Sequence, residues 1–172
     1  MEILKKDDLR YYVVDNFPTI GVRFIDLTPT LMDANSLHMI AGRLNLLNHS
    51  DDIDYIISPE ARGFIWGSLI AYKNGLPLII ARKKGKIPKE VAGYGVEYQT
   101  EYSVDYLEIH DIDLTGKKVM YVDDVYATGG TYEVCKTLVE QSGGELVKGL
   151  VIYDVGINNN DEIKSLYRGD DL

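Results

Sequence analysis

Two adjacent acids, Asp123 and Asp124, close an apolar run and are followed at once by a turn rich in threonine and glycine. The stretch reads Val119-Met120-Tyr121-Val122-Asp123-Asp124-Val125-Tyr126-Ala127-Thr128-Gly129-Gly130-Thr131, and a helix-like segment at 132–141 follows. The order is therefore strand, loop, helix. A loop feeding a helix N-terminus presents free backbone N–H groups and the positive end of the helix dipole, which suits a phosphate. Gly129 and Gly130 allow close backbone approach, and Thr128 and Thr131 add hydroxyl donors. Carboxylates beside a phosphate repel it, so the acid pair should face another part of the ligand. Ionised Asp only accepts hydrogen bonds, and a sugar diol offers two donors. The residues thus describe a ribose 5-phosphate site, with phosphate on the turn at 127–131 and hydroxyls on Asp123 and Asp124. Neither a Gly-Lys-Ser/Thr Walker element nor a GxGxxG fingerprint occurs. The plainer alternative is a strand–turn–helix capped by Thr128, with both acids merely solvated.

The elements that must position these residues are legible in outline. Leu37, Ile40, Ala41, Leu44, Leu46 and Leu47 lie at helical spacing in 33–48, after Asp33 as a cap. Residues 53–58 read as a buried strand, 63–74 as a helix stopped by Gly75, and 78–82 as a further strand. Residues 96–102 and 106–110 are aromatic and β-branched and fit a hairpin or flap. Strands at 118–123 and 146–155 complete the set. Strands alternating with helices predict an α/β fold, a mostly parallel central sheet flanked by helices, with 1–172 as one domain. Ligands of such sheets sit beyond the carboxyl ends of the strands, where the loops 58–63, 82–88 and 124–131 all fall.

Composition narrows the partners. The net charge of −9 argues against nucleic acid or an anionic membrane as a general partner. No apolar run approaches eighteen residues, and the opening residues lack the apolar core of a signal peptide. The single Cys135 excludes an internal disulfide and fits a reducing compartment, so a cytoplasmic location is expected. It reads as a buried structural thiol. His38, His49 and His110 show no ligand spacing, so no protein-held metal is expected. Against the acidic balance, Arg82, Lys83, Lys84, Lys86 and Lys89 cluster, which suggests a specific anionic ligand, or else a solvated charged loop.

The run from Val119 to Thr131 closely resembles the phosphoribosyl pyrophosphate (PRPP) motif of phosphoribosyltransferases, with Tyr126 at a position usually aliphatic there. A wider resemblance, from about Phe17 to Val155, is to the adenine phosphoribosyltransferases. Phe17-Pro18-Thr19-Ile20-Gly21-Val22-Arg23-Phe24-Ile25-Asp26-Leu27-Thr28 is similar to their base-recognition segment, Glu60-Ala61-Arg62-Gly63-Phe64 to their pyrophosphate loop, and 101–110 to their flap. The resemblance implies a type I phosphoribosyltransferase fold with a small N-terminal hood and a flexible flap. It implies that PRPP and adenine give AMP and pyrophosphate, in purine salvage. Asp123, Asp124, Ala127, Thr128, Gly129, Gly130 and Thr131 would bind the ribose and its phosphate. Glu60, Ala61, Arg62, Arg82, Lys83 and Lys86 would meet pyrophosphate, and Val22, Phe24 and Ile25 the base. Arg62 and Glu101 would be catalytic, Glu101 by handling a purine proton, with Glu97 a near neighbour that could be mistaken for it. Mg²⁺ would bind through PRPP and water, and a homodimer is expected. The family usually has Arg where this chain has Ile25, and its segment after Asp154 is replaced by Gly156-Ile157-Asn158-Asn159-Asn160. A 6-oxopurine substrate therefore stays open, and so does a non-catalytic PRPP-sensing regulator.

Overall fold

The computed structural model describes residues 2–17, 19–48, 52–99 and 104–172. Strands β1 (Leu4–Lys6), β2 (Leu9–Asp15) and β3 (Arg23–Asp26) form a small antiparallel sheet in that order. This is the hood. Its inward positions Leu9, Tyr11 and Ile25, with Leu27 just after it, join the core of the main body. After a short helix α1 (Thr28–Leu31) comes α2 (Ala34–Leu46). Asp33 caps α2 by accepting from Ser36 N at 2.8 Å, and this bond holds its carboxyl below the usual range.

The main sheet contains β4 (Tyr55–Pro59), β5 (Leu78–Lys83), β6 (Ala92–Gln99), β7 (Val104–His110), β8 (Lys118–Tyr126), β9 (Glu145–Asp154) and β10 (Ile163–Arg168). Their order is β10-β9-β8-β4-β5-β7-β6. The five strands from β10 to β5 run parallel, and β7 and β6 extend the sheet as an antiparallel hairpin. Helix α3 (Gly63–Asn74) follows β4, and α4 (Gly130–Gln141) follows β8. Gly75 ends α3 in the left-handed conformation at φ 65°, which glycine adopts without steric cost.

Strand alternation divides the interior. Ile56, Met120, Val122, Leu150 and Ile152 face α2 and α3 with Ile40, Leu44, Trp66 and Ile70. Their neighbours Ile57, Val119, Tyr121 and Val151 face α4 with Val134, Cys135, Leu138 and Val139. Burial pushes the Cys135 thiol well up, which keeps it protonated and inert. A central sheet buried on both faces explains why its strands read as near-continuous apolar runs.

Two expectations needed adjusting. The motif strand continues through both acids to Tyr126, because β9 pairs with it as far as Tyr126 opposite Asp154. The hairpin begins earlier than expected, at Ala92. Residues 100–103, between its two strands in the sequence, lie outside the described residues.

Candidate functional site

A cavity of about 390 Å³ opens where β4, β5 and β8 end, beneath the hood. It is bordered by Val22, Phe24 and Ile25 from the hood, Glu60, Ala61 and Arg62 from the loop after β4, Lys83, Asp123 and Asp124, and Ala127 and Thr131 from the turn. A smaller cleft of about 90 Å³ adjoins it and is walled by Thr128, Gly129 and Gly130 over Tyr121, Tyr126 and Tyr132.

The acid pair lies within β8, not on a solvated turn. Asp123 is 8% exposed and Asp124 3%. Asp123 Oδ2 accepts from the Tyr121 hydroxyl at 2.7 Å, and its Oδ1 accepts from Asp124 N at 2.8 Å. Desolvation first, and the neighbouring Asp124 second, push the Asp123 carboxyl well above the usual range. Asp124 Oδ1 accepts from Val125 N at 2.9 Å. Its Oδ2 sits 3.0 Å from Arg62 Nε, off the axis of a hydrogen bond, and so pairs charges while its hydrogen-bonding capacity stays unused. Gly63 lets α3 start against this pair. A Cβ there would stand 2.9 Å from Asp123 Oδ1 and 2.7 Å from Pro59 Cδ.

The turn at 127–131 carries no side-chain cap from its N-cap residue. Gly129 stands at the N-cap of α4 with φ 86° and, having no side chain, caps none of the first N–H groups of the helix. Thr128 does not cap, which removes the plainer reading of this segment. Gly129 also packs over Tyr126, since a Cβ would lie 2.6 Å from the Tyr126 hydroxyl. Asn158 Nδ2 donates to the Thr128 carbonyl at 2.8 Å, so the divergent segment after Asp154 braces this turn from outside.

The basic side is held by ion pairs. Glu60 accepts from Arg82 Nε and from Lys83 N, each at 3.0 Å, and the Lys83 N–H bond is the main reason its carboxyl sits below the usual range. Lys83 Nζ is 3.0 Å from Asp105, which raises the ammonium's affinity for its proton. Arg82 and Lys86 do not border the cavity. Arg82 lies over the Phe64 ring as well as against Glu60, and the Lys86 main chain donates to Glu108 at 3.1 Å. The Arg62 guanidinium carbon is 5.3 Å from the Phe24 ring centre, so Arg62 spans from the ring to Asp124. Phe24 is half-buried on the cavity, while alternation sends the Ile25 side chain into the core.

Glu101 lies outside the described residues. Glu97 is exposed and does not border the cavity. Sequence reasoning gave no role to six residues that do, among them Pro59 and Val125, which adjoin predicted positions. Tyr98 of β6 reaches the Thr131 side chain, and Asp105 stands opposite Tyr98 in the hairpin register. Arg23 and Val155 border the cavity too. The signal for Tyr98 was the alternation of Val96 and Tyr98 with Glu97, which turns the first two inward.

Comparison with known proteins identifies the family. Residues 34–172 match the phosphoribosyl transferase domain family. The chain is 38% identical over 161 residues to the adenine phosphoribosyltransferase of Alkaliphilus metalliredigens, covering 93% of this chain and 94% of that one. Adenine phosphoribosyltransferase from Thermoanaerobacter pseudethanolicus superimposes with a TM-score of 0.85 at 34% identity, over 92% of this chain and 95% of the other. The Saccharomyces cerevisiae enzyme, solved with an imino-altritol bisphosphate and adenine, gives a TM-score of 0.77 at 30% identity, over 91% and 93%. With a family model matched over most of its length and relatives of this identity and coverage, the chain belongs to the phosphoribosyltransferase family, among its adenine phosphoribosyltransferases.

Proposed function

We propose that this chain, acting as one domain over 1–172, transfers phosphoribose from PRPP to adenine and releases pyrophosphate. The observation that carries this reading is the single cavity that joins Phe24, the buried Asp123–Asp124 pair and the uncapped turn. The 5-phosphate would lie on the turn at 127–131, where N–H groups and hydroxyls converge. The ribose hydroxyls would donate to Asp123 and Asp124. The purine would stack on Phe24, replacing Arg62 over that ring. Arg62 and Lys83, drawn from Asp124 and Asp105, would meet the pyrophosphate as its charge develops. In the transfer, the bond from the anomeric carbon to the pyrophosphate oxygen breaks and one to a purine ring nitrogen forms. Glu101 is assigned the proton that the base loses.

Among the described residues no three His, Cys, Asp or Glu side chains group into a metal cage. The cavity's cationic wall and its paired carboxylates fit a Mg²⁺ that arrives on PRPP oxygens with its own waters. Bound there, Mg²⁺ neutralises leaving-group charge. The lone reduced thiol, Cys135, supports a cytoplasmic setting. Leu37, Ala41, Leu69 and the 91% exposed Tyr72 give α2 and α3 an apolar outer face that supports a homodimer.

Arg23 favours a second substrate. A donor-only guanidinium beside Phe24 suits the carbonyl of a 6-oxopurine. One assay decides both. The protein is incubated with PRPP, Mg²⁺ and adenine, hypoxanthine, guanine or xanthine in turn, and the nucleotide is identified by mass. AMP as the dominant product is expected. IMP, GMP or XMP in its place would assign the 6-oxopurine, and no nucleotide from any base would remove the enzyme reading.

A further inference from the structure

Tyr121 lies two residues before Asp123 in β8, so alternation places both side chains on one face of the sheet. It is 1% exposed. Its neighbours Val119 and Val122 are the aliphatic residues that a buried central strand ordinarily carries. A phenol in such a place must find a partner for its hydroxyl, and the partner here is the 2.7 Å bond to Asp123 Oδ2. The Asp124 N–H holds the other oxygen. Each oxygen therefore spends one acceptor site on the protein and keeps another for a ligand, while the two bonds together fix the carboxylate plane. Burial raises the Tyr121 hydroxyl's own proton affinity well above the ordinary range, so it remains a donor at working pH.

The ring is anchored as firmly as the hydroxyl. Tyr121 meets Tyr132 edge-on, with centres 5.3 Å apart at 88°, and Tyr126 meets the same Tyr132 ring at 6.2 Å. Tyr132 belongs to the first turn of α4, and Tyr126 sits under Gly129. The three rings floor the small cleft below the phosphate turn. One aromatic layer thus touches both parts of the ribose phosphate site.

We propose that Tyr121 is a positioning residue for the sugar: its hydroxyl holds the Asp123 carboxylate in the orientation that accepts from a ribose hydroxyl, and its ring ties that carboxylate to the phosphate turn. The proposal rests on the reading of the cavity as a PRPP site. A residue that only filled the core would affect all ligands alike. A positioning residue acts on hydroxyl recognition alone.

Tyr121→Phe keeps the ring contacts and removes the one hydroxyl. Calorimetry on parent and variant compares ribose 5-phosphate with 2-deoxyribose 5-phosphate, and steady-state rates give KM for PRPP and for adenine. The parent should prefer the ribose sugar by roughly 10-fold, the scale of one charge-assisted hydrogen bond. The variant should hold the preference within about threefold and raise KM for PRPP about five- to tenfold, with KM for adenine unchanged. Should Tyr121→Phe not fold, Tyr121→Leu, an aliphatic filling suited to a central strand, carries the same expectation. A folded variant that keeps the parent's preference overturns the role of Tyr121 and leaves the PRPP site standing. A parent that binds neither sugar phosphate, or shows no preference, overturns the PRPP reading itself and this inference with it.

Discussion

Asp123 and Asp124, at the floor of the cavity, are hydrogen-bonded within their own strand and almost wholly buried. The cations of the opposite, basic side, Lys83 on the cavity and Arg82 outside it, are held by acids from other parts of the chain. Arg82 meets Glu60, 22 residues away, and Lys83 meets Asp105 with its own side chain 53% exposed. The contrast fits the chemistry of the proposed ligand. Sugar hydroxyls are neutral and directional, so their acceptors gain from being fixed beforehand. Pyrophosphate is strongly charged, and it can displace carboxylates from cations that wait on weak, exposed pairs. Arg62 connects the two regions. It rests on Asp124 below and on Phe24 beside it, and on the proposed reading both contacts open as PRPP and base arrive.

The floor should be the more sensitive region. Asp123→Asn with Asp124→Asn removes two buried carboxyl acceptors, each worth about 1.5–3 kcal/mol where the bond is charge-assisted. PRPP affinity should fall by at least 100-fold on calorimetry. An unaltered dissociation constant would take the ribose off these acids and reverse the comparison.

Arg62→Ala tests the connection between floor and wall. Losing one preorganised donor to a leaving group costs on the order of 100-fold in turnover. Its half-exposed side chain contributes little to folding, so the thermal midpoint should move by only a degree or two. Turnover equal to the parent's would confine Arg62 to a structural part.

The floor was also the more legible region in the sequence, for the same physical reason. Residues 118–141 form a local unit in which apolar period, acid pair, glycines and helix follow in order, and each signal lies near the residue it predicts. The wall depends on pairings that sequence spacing does not reveal. Nothing local marks Glu60 as the partner of Arg82, or Asp105 as that of Lys83, before β5 and β7 are known to be neighbours. Tyr98 and Asp105 face each other only through the hairpin register. The hood strands were missed because β1 is exposed at every position, and hydrophobic alternation in β2 is brief. Strand β10 escaped because Ile163 and Tyr167 are its only well-buried residues, as suits a strand at the sheet edge. Tyr121 was read as part of an apolar run, and only its hydroxyl's partner separates it from one.

A smaller effect should appear at the wall. Asp105→Asn frees Lys83 from the carboxylate that a pyrophosphate must otherwise replace. Exposed pairs of this kind are worth about 0.2–1 kcal/mol, so KM for PRPP should fall up to about fivefold. A raised KM would instead make Asp105 a contributor to binding and the ion pair a part of the finished site.

The smallest effect belongs to the outer brace of the floor. Glu162 accepts from the Tyr132 hydroxyl at 2.6 Å and lies 3.0 Å from Lys136, and these two, the hydroxyl first, hold its carboxyl below the usual range. A depressed carboxyl adds stability above its unfolded pKa, and this is lost as pH falls through the folded value. Glu162→Gln should therefore lower the melting temperature slightly at neutral pH, by an interaction on the order of 1 kcal/mol or less. The gap between variant and parent should close in acid. Turnover should not change, since Glu162 grips the far end of Tyr132 and borders neither cleft. If PRPP binding weakened along with the melting temperature, the aromatic layer would transmit strain from the protein surface to the phosphate turn, and the floor would be less independent of its surroundings than its burial implies.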